Sequence, residues 1–364
     1  MEKARITHVL VTLAALAVST AAQGEERMRE TFDPLTLTEP RGVSVQLDND
    51  LFSGAHRDQD YSWGVAVTFA SPEGQRIAAP FDAVRARLES WLTPPRLAAT
   101  GTLQQSHALQ VGLLGMTPST LRSADPLPDD RPYASLLFMS TAEMSVLEDI
   151  GRARFTSFTV GALGLKLAET LHRGVHKAVG NEVPLGWEHQ IADGGEPTFR
   201  YVHAEQWLLG HLDGEYANQP ELKFTASGSA GYITEGSVAF SGRWGRIRTP
   251  WWSFAPELAD YTVAPVAPRV ERGASGLSEW FFFAGARLKA RAYNALLQGQ
   301  FRDSDVRVSS GDLARLQAEG WIGLSATWSD LRLTYTVRYA SREMTREPGA
   351  RSLIWAGVSV EKSF

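Results

Sequence analysis

Apolar and polar residues alternate along most of this chain, and the C-terminal stretch shows the pattern most clearly. One face of a predicted strand there is apolar: Ile354, Ala356, Val358, Val360 and Phe364. The other face is mostly small or polar: Leu353, Trp355, Gly357, Ser359, Glu361 and Ser363. Because successive side chains of a strand point to opposite sides, the pattern predicts a sheet with two different faces.

The same alternation recurs at intervals along the sequence. It predicts about twelve strands, an even number as bacterial single-chain barrels require. They lie near residues 42–50, 61–70, 105–114, 133–146, 153–164, 199–209, 219–230, 234–245, 279–292, 318–328, 330–341 and 352–364.

The N-terminus has the pattern of a secretory signal. Lys3 and Arg5 precede an apolar run over residues 9–18, which is too short to span a bilayer. The small residues Thr20-Ala21-Ala22 follow, so we expect cleavage after Ala22. This divides the chain into a signal peptide, residues 1–22, and an exported body, residues 23–364.

No later segment reaches about 18 consecutive apolar residues, which leaves a soluble exported protein or a transmembrane barrel. A last strand that ends on Phe364 resembles the closing strand of bacterial outer-membrane barrels. Eleven Trp, nine Tyr and sixteen Phe suit aromatic girdles at two membrane interfaces. The predicted fold is therefore all-β: a transmembrane antiparallel β-barrel of about 12 strands with a short helix in an extracellular loop.

Composition narrows the functional classes. The net charge of −5 is not that of a basic nucleic-acid-binding protein. The absence of cysteine means that an exported chain has no disulfides and depends on closure and packing for stability.

Strand parity assigns the connections if both termini are periplasmic. Outward loops are then predicted at residues 51–60, 115–132, 165–198, 231–233, 293–317 and 342–351. Two periplasmic connections, 71–104 and 246–278, come out longer than the short turns usual there. A small helix over residues 84–92 is predicted within the first of them.

The stretch 165–179 has helical rather than alternating spacing. Its residues Glu169, His172 and His176 fall on one helix face. A second face, predicted to pack on protein, carries Leu167, Leu171 and Ala178. A His-x-x-x-His pair can bind zinc if a third ligand exists, whereas a single histidine can act as a general base or have only a surface role.

Two further places carry polar residues of interest. Alternation gives Asp50 and Ser62 lumen-side positions and Asn49 a lipid-side position at the outer rim, although a solvated polar loop would look the same. In the 115–132 loop, Arg122 is a candidate phosphate ligand, and Arg131 with Asp130 is predicted to form a structural ion pair.

Together these pieces resemble the lipid A 3′-O-deacylase family (LpxR) of outer-membrane barrels. The matching motifs, in chain order, are Asn49-Asp50, Asp60-Tyr61-Ser62-x-Gly64, Asp130-Arg131-Pro132-Tyr133-Ala134, His176-Lys177-x-x-Gly180-x-Glu182, Gly186-Trp187-x-x-Gln190 and Tyr293-Asn294-x-x-Leu297-x-Gly299. Ser62 stands where Thr is usual, Trp63 where Asn is common and His172 where Gln is common.

The resemblance implies a calcium-dependent esterase that removes the 3′-linked acyloxyacyl chain from lipid A of lipopolysaccharide. It makes His176 the general base that activates water, with Asn49, Asp50 and Ser62 beside it in the catalytic site. Asp50 and Glu182 are the implied calcium ligands. The implied lipid A phosphate ligand is Arg122.

We therefore expect a monomer in the bacterial outer membrane, with lipid A of the outer leaflet as its partner. The alternative is a non-enzymatic barrel, either a narrow pore or a structural membrane protein. A serine-nucleophile phospholipase would need a His-x-Ser pair in a strand, and the sequence offers none that is convincing.

Overall fold

The computed structural model describes residues 41–54, 59–92, 103–147, 150–211, 220–270 and 276–364. The predicted signal peptide lies outside the described residues. Within the described part, no helix is both long enough and apolar enough to cross a membrane.

The described residues form a closed antiparallel barrel of twelve strands, each paired with its neighbours in chain order and β1 with β12. The strands are β1 Gly42–Asn49, β2 Asp60–Ala70, β3 Leu103–Thr117, β4 Ala134–Leu147, β5 Arg152–Leu163, β6 Glu196–His211, β7 Glu221–Gly231, β8 Ile233–Arg246, β9 Leu277–Asn294, β10 Leu316–Trp328, β11 Leu331–Ala340 and β12 Leu353–Ser363. The fold class and strand number predicted from alternation are confirmed.

The barrel has two ends. At one of them, which we call the terminal end, Gly42 of β1 pairs with Ser363 of β12. At the other, the distal end, Asn49 pairs with Ala356. The distal end carries the connections that parity predicted to face outward, including the loop between β5 and β6.

Alternation separates an apolar outer wall from a charged lumen. Large apolar side chains on the outer wall are exposed, among them Phe240, Phe282, Ile322 and Leu333. The lumen faces of the same strands bury arginines and carboxylates that pair with one another. Arg287 and Glu319, for example, are joined at 2.6 Å. Closure therefore leaves no unpaired strand edge and hides the charges from lipid.

The long connection between β8 and β9 does not remain outside the barrel. Its residues 247–270, here called the inserted segment, turn into the lumen, where Glu257 accepts a hydrogen bond from Gln206 at 2.6 Å. Asp260 pairs with Arg200 at 2.6 Å and with Arg287 at 2.8 Å. The segment then returns to the terminal end, where the amide of Val270 donates to Ser363 at 2.7 Å. The connection that is too long for a periplasmic turn therefore fills part of the lumen.

The connection between β2 and β3 contains a helix, α1, Pro72–Leu92, which is much longer than the helix predicted over residues 84–92. Gly74 of α1 lies against Leu109 and Phe69, at the terminal end of the barrel.

The distal loop after β5 contains the second helix, α2, Lys166–Val179, close to the predicted bounds. A short helix, α3, Ala295–Gln298, follows β9. The prediction that Leu167 and Leu171 pack on protein is wrong, because these side chains are 46% and 45% exposed. The histidine face packs on protein instead, with Ala168 fully buried.

Candidate active site

Helix α2 packs against the outside of the barrel wall. Gln110 of β3 accepts from the inserted segment at Ala264 and donates to Thr68, so these two strand residues face the lumen. By alternation the odd-numbered residues Trp63 and Val65 face outward. The cluster on this wall contains Leu113, Leu121, Tyr133, Ala168 and Trp187, with Trp63, Val65 and Leu137 packed against it. The histidine face of α2 therefore meets the wall at the distal end.

His176 is held by the backbone. Helix α2 is capped after Val179 by Gly180, whose φ of 77° is in the left-handed region that glycine tolerates. The amide of Asn181 then donates to the carbonyl of His176 at 2.9 Å, and the chain reverses. This reversal brings the carbonyl oxygen of Glu182 to 2.5 Å from Nδ1 of His176. Because a carbonyl only accepts, Nδ1 carries the proton of the neutral ring and Nε2 carries the lone pair.

His172 has a different environment. The indole Nε1 of Trp187 donates to its Nδ1 at 3.2 Å, so the neutral ring is protonated on Nε2. The ring of His172 lies edge-on to that of His176, with centroids 4.4 Å apart. It also lies 6.3 Å from the ring of Trp63. His172 is thus built into an aromatic layer between α2 and the wall.

The rim of β1 and β2 supplies the other polar groups. Asn49 caps a 3-10 turn over Asp50–Ser53 by accepting from the amide of Leu51 at 2.9 Å. Asp50, which is 2% exposed, accepts from the amide of Gln59 at 2.7 Å. Both carboxamide and carboxylate are therefore fixed by backbone donors.

Ser62 lies in a β-bulge. Tyr61 pairs with Met116 and Trp63 with Gly115, which leaves Ser62 as the extra residue of β2. Its Oγ lies 2.5 Å from Oγ1 of Thr117. A bulge interrupts the alternation of the strand, so it changes the direction of this side chain at the distal end of β2.

Trp63 connects the rim with the helix. It pairs with Asn49 in the β1–β2 ladder, so Asp50 and Ser62 each lie one residue beyond that pair. The same tryptophan contacts His172 on α2. The structure therefore brings Asn49, Asp50 and Ser62 to the edge of the wall that α2 covers.

Arg122 and Glu182 lie further out and pair with each other. The Nε atom of Arg122 donates to a Glu182 carboxylate oxygen at 2.6 Å, and its Nη2 donates to the other oxygen. These hydrogen bonds lower the pKa of the Glu182 carboxyl. Both side chains are largely exposed. One residue of the site thus supplies a carbonyl to His176 and a carboxylate to Arg122.

Comparison with known proteins agrees with this architecture. The family model of the outer membrane protein LpxR matches residues 9–364. The chain belongs to the LpxR family. Among solved structures, LpxR from Salmonella typhimurium is 13% identical, with a TM-score of 0.67, and the match covers 89% of this chain and 100% of that chain. An outer membrane channel from Pseudomonas putida F1 is 9% identical, with a TM-score of 0.42 over 92% of this chain and 100% of that chain.

No curated protein matches the sequence significantly. The LpxR family and the closed barrel place the chain in the bacterial outer membrane, as the sequence indicated.

The predicted ion pair between Asp130 and Arg131 is wrong in its partners. Asp130 pairs with Arg351 at 2.5 Å, and Arg131 pairs with Glu343 and, at 3.3 Å, with Asp60. Burial opposes ionisation of Asp130, but hydrogen bonds from Ser119 and the charge of Arg351 outweigh it and lower its pKa. This buried network fixes the start of β2, next to the Ser62 bulge.

Sequence reasoning missed Trp187 and Glu343 as parts of the site's support. Trp187 belongs to the motif Gly186-Trp187-x-x-Gln190, which by itself predicts no role for the indole, and its hydrogen bond explains the orientation of His172. Glu343 stands alone in a distal loop, and its partner Arg131 is more than 200 residues away in the chain. No local signal marks such a pair.

The donor atoms around the rim are mainly oxygens, which suit calcium better than zinc. Asp50 and Asn49 supply a carboxylate and an amide, and Ser62 and Thr117 supply hydroxyls. Among the described residues, no three His, Cys, Asp or Glu side chains are grouped to hold a metal ion. The zinc alternative therefore finds no third side chain in this part of the chain.

Proposed function

We propose that this protein is a calcium-dependent outer-membrane esterase that removes the 3′-linked acyloxyacyl chain from lipid A. The observation that carries the proposal is the contact between Nδ1 of His176 and the carbonyl oxygen of Glu182. It gives the ring one tautomer, with the basic nitrogen on the opposite side. Membership of the LpxR family supports the substrate class.

In the proposed reaction, Nε2 of His176 removes a proton from water as the water oxygen bonds to the ester carbonyl carbon. The bond to the sugar oxygen then breaks, and the imidazolium returns the proton to that oxygen. The carbonyl of Glu182 accepts from Nδ1–H throughout, and it stabilises the ring in its charged form. No group other than water and the ester is consumed.

The rim residues have separate proposed roles. Asn49 accepts a backbone hydrogen bond through Oδ1, so its amide N–H groups are the ones available to donate toward the ester carbonyl. The hydroxyls of Ser62 and Thr117 hold each other in place at the rim through their hydrogen bond. Asp50 and Glu182 are the proposed calcium ligands, and the bound ion would supply positive charge for the developing oxyanion.

The Arg122–Glu182 pair also suits the proposal. The two residues are assigned to ligands of opposite charge, a lipid A phosphate and calcium, and in this structure they neutralise each other. We propose that binding of substrate and calcium breaks the ion pair between Arg122 and Glu182. Arg122 would then bind the lipid A phosphate, and Glu182 would bind the calcium ion.

The experiment is an incubation of purified protein with lipid A in mixed micelles, with calcium or with a chelator, followed by mass spectrometry. Loss of the mass of the 3′-linked acyloxyacyl chain, only when calcium is present, is the expected result. A product lacking a different chain, or full activity in chelator, would contradict the proposal. The inserted segment argues against the pore alternative, because residues 247–270 occupy the lumen.

A further inference from the structure

Helix α1 lies on the outside of the barrel wall at the terminal end. Gln110 faces the lumen, where it bonds to Ala264 of the inserted segment, so its neighbours Leu109 and His107 alternate to the outer face. Leu109 pairs with Thr141, and His107 with Glu143, on the next strand. These are the strand residues that α1 covers. In a membrane barrel this side of the wall faces lipid.

The wall under the C-terminal half of α1 is polar, and one arginine of the helix hydrogen-bonds to it. Arg85, which is 1% exposed, donates to Glu143 of β4 at 2.5 Å and to Thr156 of β5 at 2.6 Å. Within the helix it also bonds to Asp82 and Glu89, each at 2.7 Å. In this half of α1, the face that meets the barrel is therefore the charged one.

An apolar flank of α1 is left uncovered by the residues that the structure describes. At about 100° per residue, the positions 77, 81, 84, 88 and 91 share one side of the helix. Ile77, Val84 and Trp91 of this flank are 66%, 43% and 69% exposed. The opposite flank carries Arg76, Ala79, Ala83, Arg87 and Ser90, all of them exposed. A helix surrounded by water would be expected to bury residues such as Ile77, Val84 and Trp91 rather than expose them.

The apolar flank is continuous with an established interface. The outer wall of β3 carries part of the apolar belt of the barrel, where Val111 lies two residues beyond Leu109 and is 42% exposed. Arg87 stacks over the ring of Trp91 at 5.6 Å, which is the pairing of cation and aromatic ring found in the head-group region of membranes.

From this arrangement we propose that α1 is an interfacial helix that binds phospholipid at the terminal end of the barrel. Its apolar flank lies against acyl chains, its arginine flank lies toward lipid phosphates and water, and Arg85 fastens it to the wall. The barrel thus carries a built-in membrane anchor away from the candidate active site. If the proposed function is right and the distal end lies in the outer leaflet, α1 lies in the periplasmic leaflet.

The chain has no cysteine, so single labels can be introduced at will. We would label Val84→Cys and its neighbour Ala83→Cys with a nitrobenzoxadiazole fluorophore and reconstitute each into phosphatidylcholine–phosphatidylglycerol vesicles. The label at 84 is expected to be quenched several-fold more by doxyl-labelled phospholipid than the label at 83. Aqueous iodide is expected to show the reverse order. Trp91→Cys and Ser90→Cys form a second matched pair about two helical turns further along α1.

Equal iodide quenching at 83 and 84 would overturn the proposal, because it would place the apolar flank in water. Shielding of 84 from both quenchers would also overturn it, because a protein partner or a second copy would then cover the flank. Heat-modifiable migration in gels shows that each variant is folded. Lipid A hydrolysis is not a readout here, so this proposal and the proposed function fail separately.

Discussion

The Nδ1 atom of His176 lies 2.5 Å from the backbone carbonyl oxygen of Glu182. A backbone acceptor cannot be protonated in the physiological range, so this contact fixes the tautomer of the ring. His172, one turn earlier, is bound instead by the indole of Trp187. The two histidines are neighbours in space and differ in what they can do.

We therefore predict that His176→Gln lowers lipid A hydrolysis by about 10²–10⁴-fold, because the general base is lost. His172→Gln is the matched control. Its amide oxygen can still accept from Trp187, so near-normal activity is expected. Rates are measured by mass spectrometry of lipid A at saturating calcium. Equal losses in the two variants would mean that neither ring is the base and that the pair acts only in packing.

A second prediction separates the roles of Arg122 and Glu182. If Arg122 binds phosphate, Arg122→Ala raises KM about tenfold or more with little change in kcat. If Glu182 binds calcium, Glu182→Gln raises the calcium concentration required for half-maximal rate while the carbonyl that holds His176 stays in place. Calcium titrations and substrate titrations of both variants test this. A pure KM effect in both would make the residues a substrate-binding pair alone.

A third prediction concerns the hydroxyl in the β2 bulge. Ser62→Thr keeps the oxygen that lies 2.5 Å from Thr117, so it should retain activity. Ser62→Ala removes it and leaves the Thr117 hydroxyl without this partner in a buried place, which costs about 1–3 kcal/mol of stability. Activity and urea unfolding are measured for both. Full activity in Ser62→Ala would show that the oxygen has no part in the site.

The barrel could be read from the sequence because the signal is local. In a strand with one lipid face and one lumen face, the side-chain environment alternates with every residue, whatever the neighbouring strands are. Ile354 is exposed on the outer wall and the next residue, Trp355, is buried in the lumen. The inserted segment has no such period. Asp260 and Glu257 look like ordinary loop carboxylates until the arginines of distant strands surround them.

Two other features were hidden for physical reasons. Helix α1 buries Arg85 and exposes Ile77, which is the reverse of the rule that the apolar residues of a helix face protein. The support of His176 comes from a backbone atom, which any residue type at position 182 would supply. The catalytic candidates themselves were found through family motifs rather than through spacing.

A fourth prediction follows from Glu343 at the distal end. Burial raises its pKa, but the charges of Arg131 and Arg291 outweigh this and lower the pKa to about 2. Because the folded pKa lies below the ordinary value of 4.5, its stabilising contribution is complete above that value. It is lost as the pH falls toward about 2. The free energy of unfolding in urea should therefore fall over this window.

Glu343→Gln should remove that pH dependence and cost about 3–5 kcal/mol at neutral pH, because two buried arginines lose their common carboxylate. Asp129→Asn is the control, since its pair with Arg346 is exposed and is worth little. An acid transition unchanged in Glu343→Gln would assign the effect to other carboxylates.

A fifth prediction tests whether the inserted segment seals the barrel. Arg200 and Arg287 hold Asp260, and the Glu257 carboxylate binds Gln206, so the segment is fastened inside the lumen to β6 and β9. In planar bilayers the natural chain should show no steady conductance. Replacing residues 251–266 by a glycine–serine linker of equal length should open a channel, because the lumen arginines and carboxylates then face water. Conductance of the natural chain equal to that of the variant would favour the pore over the closed esterase, and a closed variant that remains folded would show that other loops seal the lumen.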